Sequence, residues 1–172
     1  RWEAEKETGW WGWWPINFAV GADEPWDVPA DEWHLDMLPE GSAVNSPHQG
    51  LLVICLFSQI EPRGGGTLVL EGSHRIAARL LNETSGLTQN QVNARLRSEQ
   101  PYLRSLCGYD DQSSAPHTNP GNARGVHAAA WAPSPGDDKT ERIRRFMEQT
   151  FVDECGTALR VAEITGAPGD VI

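Results

Sequence analysis

The stretch at residues 61–75, "EPRGGGTLVLEGSHR", decides how the chain is read. Gly64, Gly65 and Gly66 mark a turn, Thr67 to Leu70 is a short strand-like run, and Glu71-Gly72-Ser73 turns the chain again. Upstream lies "GLLVICLF", Gly50 to Phe57, the longest apolar run and of strand length. Downstream, "ALRVAEI" (Ala158 to Ile164) alternates like a half-buried strand. Asp170-Val171-Ile172, after a Gly/Pro turn, reads as the opening of a buried strand. Strands at short spacing with glycine turns predict an all-β sandwich or jelly roll.

A few helices flank this frame. "HRIAARLLNE" can form a short one. Thr88 and Gln91 stand at capping-box spacing, so a second helix starts near Gln89, limited by Pro101. "KTERIRRFMEQTF" is also helix-compatible. Residues 109–135, rich in Ser, Pro, Asn, Gly and Ala, read as a long polar surface excursion. Seven of the eight tryptophans precede His34, and two roles stay open for them: a flat core covered by indoles, or the walls of a ligand cavity.

The 172 residues suit a single domain with a real core. A formal net charge of -10 argues against a nucleic-acid or anionic-membrane surface, because phosphates would be repelled. No apolar run approaches the roughly 18 residues of a membrane span. Cys55, Cys107 and Cys155 are odd in number and far apart, which disfavours a disulfide framework or a zinc knuckle and makes a reducing cytoplasm the simplest setting.

The chemistry-bearing motif is "EWHLDM", residues 32–37. In a strand, residues two apart project from the same face, so His34 and Asp36 would point together while Leu35 packs the other way. An imidazole nitrogen and a carboxylate oxygen on one face can take adjacent positions on a metal. A second histidine would complete the 2-His-1-carboxylate arrangement, which leaves open positions on Fe(II).

In order and spacing, "WDVPADEWHLD", "SPHQGLLVICLFSQIEPRGGGTLVLEGSHR" and "VAEITGAPGDVI" resemble the phytanoyl-CoA dioxygenase-like family. The resemblance spans roughly Trp13 to Ile172 and is weakest across the middle excursion. It implies a mainly β fold, the double-stranded β-helix (jelly-roll, cupin-like). It also implies an Fe(II)- and 2-oxoglutarate-dependent dioxygenase that oxidises a small organic molecule with O2, releasing succinate and CO2. The implied iron ligands are His34 and Asp36; Asn17 and Thr67 are candidate contacts to 2-oxoglutarate. A carboxylate at Asp36, rather than a small residue, favours hydroxylation or related oxidation over halogenation.

Family members carry a distal histidine and a basic residue after the "PGDV" turn, which here is Pro168 to Val171. Those partners are therefore expected beyond Ile172, in a longer chain, and the 172 residues alone are expected to be inactive. Among His48, His74, His117 and His127, none has a spacing that recommends it as the third ligand. The alternative is a non-catalytic β-helix domain that binds a small molecule or a partner.

Overall fold

The computed structural model describes residues 23–36, 43–45, 52–84, 86–108 and 138–172. Three strands, β1 (Leu68–Glu71), β2 (Phe151–Val152) and β3 (Ala158–Glu163), form one antiparallel sheet in the order β1-β3-β2. The helices are α1 (Ser73–Glu83), α2 (Gln89–Glu99), α3 (Pro101–Leu106) and α4 (Lys139–Ile143), the last continuing into a π-helical turn, Arg144–Glu148.

These elements correct the expected mainly β fold. A jelly roll needs two sheets packed face to face, and the described residues contain one three-stranded sheet with helices against it. The reason lies in the apolar runs. Residues 54–60 and 166–172 do pair, through bridges Cys55–Val171 and Ile60–Gly166, but only as a narrow ribbon. Leu56 is buried there, whereas Leu52, Val53, Phe57, Val171 and Ile172 are exposed. The buried strand expected to open at Asp170 is therefore not formed: Val171 makes only an isolated bridge to Cys55, and residues 170–172 are exposed.

The local expectations fare better. β1 pairs along its whole length with β3, from Leu68 opposite Glu163 to Glu71 opposite Arg160, and β2 pairs with Ala158 and Leu159 of β3. β3 buries Leu159 and Val161 and exposes Ala158 and Arg160, the alternation of a one-sided sheet. Arg160 also meets Glu71 across the strands at 2.9 Å. Gly72 makes the turn from β1 into α1 at φ 81°, and a side chain there would run into the Ala158 carbonyl. In α1 the buried residues are Ile76, Ala77 and Leu80, one stripe of a 3.6-residue period. Thr88 and Gln91 form the full capping box at the start of α2. Gln100 then ends α2 and caps α3, where Pro101 occupies the first turn.

The core lies between the inner face of the sheet and the helices. It joins Leu70, Leu159 and Val161 to Ile76, Tyr102, Leu103, Leu106, Phe146 and Val28. Trp26 and Trp33 pack against this cluster, so for these two indoles the core role holds. At its centre Arg142 is 1% exposed. Its Nε and Nη2 donate to the Val28 carbonyl, Nη2 also donates to the Leu106 carbonyl at 3.0 Å, and Asp27 lies 3.6 Å from Nε. One side chain thereby ties residues 27–28 to the end of α3 and to α4.

Candidate metal centre

The strand expected at His34–Asp36 is not formed: residues 32–36 belong to no helix or strand. Their exposure still alternates: Trp33 and Leu35 are half-buried, His34 and Asp36 exposed. Trp33 sets this parity by packing on the core and donating its indole N–H to the Pro29 carbonyl at 2.8 Å.

Leu35 is held by α2. Its N–H donates to Asn93 Oδ1 at 2.7 Å, and its carbonyl accepts from Gln89 Nε2 at 3.1 Å. With both backbone groups of Leu35 engaged inward, the side chains on either side of it face outward together. His34 Nε2 and Asp36 Oδ1 lie 3.3 Å apart, with 57% and 64% of the side chains exposed.

The tautomer of His34 follows from its second nitrogen. Nδ1 lies 2.6 Å from the Glu32 carbonyl, which can only accept, so Nδ1 carries the hydrogen. Glu32 presents that carbonyl from a left-handed backbone, φ 67°, a conformation costing a non-glycine residue about 1–2 kcal/mol. With the hydrogen on Nδ1, the ring turns Nε2 toward a carboxylate oxygen, and without a hydrogen of its own Nε2 is also an acceptor. Two acceptors at this distance need either a proton or a cation between them.

The pair fits two ligands of a divalent ion. Neighbouring ligands about 2.1 Å from an octahedral ion stand about 3 Å apart, close to the observed 3.3 Å. An imidazole whose other nitrogen donates to a carbonyl is the usual state of a metal-bound histidine. Among the described residues no group of three or more His, Cys, Asp and Glu side chains assembles around an ion, so the pair supplies two ligands and not a complete set.

Other candidates lie elsewhere. Thr67 is exposed at the foot of β1, its carbonyl accepting from the Ile164 N–H, and shares no hydrogen bond with His34 or Asp36. His74 is exposed in the first turn of α1. Asn17, His48, His117 and His127 lie outside the described residues, as does the excursion at 109–135. A shallow cleft of about 250 Å³ is lined by Pro101, Tyr102, Arg145, Gln149, Thr150 and Phe151. It includes neither His34 nor Asp36. The thiol of Cys107 is buried, and burial pushes its pKa up to about 12; Cys55 and Cys155 are exposed and free.

Sequence reasoning found the pair through its parity but missed Asn93 and Gln89. The available signal was an asparagine facing inward on α2 beside Val92, where an unpartnered amide would be costly.

No family model, curated protein or solved structure matches this chain. Among the described residues no helix is long and apolar enough to cross a membrane.

Proposed function

We propose that His34 and Asp36 are two ligands of a divalent metal, and that the metal is the iron of a 2-oxoglutarate-dependent dioxygenase acting on a small organic molecule. The observation that carries this is the 3.3 Å separation of Nε2 and Oδ1, with Nδ1 already committed to the Glu32 carbonyl. The likeness of "WHLD", "GGGTLVLEGSHR" and "PGDV" to the phytanoyl-CoA dioxygenase-like family selects iron and 2-oxoglutarate from the wider set of metal chemistries.

Iron held there with 2-oxoglutarate would supply oxygen activation, with succinate and CO2 released as the substrate is oxidised. The chain's own residues do the rest. His34 offers Nε2 from a ring fixed through Nδ1, Asp36 offers a carboxylate oxygen, and α2 keeps both aimed outward. Their exposure leaves the far side of an ion open to cosubstrate and substrate.

Succinate release in the presence of Fe(II), 2-oxoglutarate and O2, by a longer chain that carries the partners expected beyond Ile172, tests the reading. Asp36→Ala is expected to abolish that release, and unchanged turnover in this variant would remove Asp36 from the ligand set. A second reading, a non-catalytic domain that binds a small molecule or a partner, is favoured by the exposed apolar side chains of the ribbon, above all Leu52, Phe57 and Val171. Tight, stoichiometric Fe(II) binding in a titration would contradict it.

A further inference from the structure

We infer that Asn93 and Gln89 of α2 are positioning residues for the metal pair: by holding both backbone groups of Leu35 they make His34 and Asp36 face a single cation. This rests on the metal reading above.

Asn93 is 7% exposed and next to the fully buried Val92. Asparagine is a poor residue for a helix interior, and its buried amide is costly unless bonded. Its Oδ1 meets that need by accepting from the Leu35 N–H at 2.7 Å, across 58 residues of sequence. Gln89 is one helical turn earlier, on the same face of α2, and donates to the carbonyl of the same Leu35. Two side-chain amides a turn apart thus address one residue's N–H and C=O, the groups a neighbouring strand would take in a ladder.

The consequence is directional. In an exposed loop the 34–36 segment could rotate about the Leu35 backbone and separate the two side chains. With both Leu35 groups fixed, that rotation is blocked. The Glu32 carbonyl adds a second restraint by fixing the His34 ring. Partners that orient metal ligands typically contribute 10–100-fold to affinity.

The test uses Mn(II) with the 172-residue chain, read by paramagnetic broadening of the His34 ring and Leu35 amide NMR signals. This detects weak binding and needs no turnover. Asn93→Leu removes the acceptor at similar volume; Gln89→Met removes the donor from a half-buried position where folding is less at risk. Each is expected to raise the Mn(II) Kd by about tenfold or more. Asn93→Leu should also speed hydrogen exchange at the Leu35 amide. Val92→Ala, which loosens α2 while keeping both amides, should keep the wild-type Kd.

Wild-type affinity in both amide variants would overturn the inference and leave the metal reading standing. An equal loss in Val92→Ala would assign the effect to helix packing and overturn it too. Absence of broadening at His34 in the wild-type protein would overturn both together. If Asn93→Leu does not fold, Gln89→Met alone decides.

Discussion

Replacing Arg142 by methionine is the severest single test of the packing described above. The substitution keeps an unbranched stem against Phe146, whose ring lies 5.1 Å from the guanidinium carbon, and removes the charged fork. Two buried carbonyls, Val28 and Leu106, then lose their donor. Each unpaired buried acceptor costs about 1–3 kcal/mol, so the pair accounts for about 4 kcal/mol. The Asp27 carboxylate, 3.6 Å from Nε, is left beside them with its charge. That total agrees with the roughly 3–5 kcal/mol typical of breaking a buried ion pair from one side. In a chain of this length about 1 kcal/mol moves the melting temperature by roughly 2–4 °C. Arg142→Met is therefore expected to melt about 8–16 °C below wild type in a calorimetric or circular-dichroism scan. Arg142→Lys, which keeps charge but loses the fork, should fall between the two. A melting temperature for Arg142→Met within about 2 °C of wild type would show that Arg142 does not join these segments.

Two other outcomes follow from ionisable groups. Asp153 Oδ1 accepts from the Thr157 and Cys155 N–H groups, and Oδ2 meets Arg79 at 2.5 Å. The Thr157 N–H is the largest cause holding the Asp153 pKa below its ordinary value, with Arg79 adding to it. A carboxylate depressed in the folded state contributes stability above the unfolded pKa of about 3.9 and loses it as the pH falls through the folded value. Melting temperatures measured from pH 6 down to pH 3 should accordingly fall less steeply for Asp153→Asn than for wild type, and parallel curves would refute the assignment. With Cys107 buried and its thiol pushed up to about 12, a thiol reagent at pH 8 should label Cys55 and Cys155 in the native protein and reach Cys107 only after denaturation. Rapid native labelling of all three would contradict the packing of the end of α3.

What was legible in the sequence is what depends on neighbours along the chain. The capping box at Thr88 and Gln91, the Gly72 turn and the alternation of β3 are local chemistry, and each stands in the structure. His34 and Asp36 do face each other, though without the strand from which that facing was expected. The fold class was not legible, because a jelly roll depends on long-range pairing of several strands. The run Gly50 to Phe57 has the composition of a buried strand, yet its described part bonds on one side to residues 169–172 and leaves Leu52, Val53 and Phe57 in solvent. Arg142 was hidden for a related reason. "RIRR" offers three arginines on one helix, and only the carbonyls of Val28 and Leu106, distant in sequence, choose the one that is buried. Likewise nothing near "WHLD" announces that its central residue is held from α2.

The sheet carries a consequence for how the molecule assembles in time. β1 finds its partner β3 only after the helical section between them, and the nearby contact of the Arg63 N–H with the Glu163 carboxylate spans 100 residues. Closing so large a loop is entropically expensive until much of it has become compact. The helices, built from local contacts and caps, can form early, whereas the pairing of Leu68–Glu71 must wait for residues 158–163. During synthesis β1 therefore stays an unpaired edge while residues 72–157 are made, an interval in which it can associate with other copies of itself.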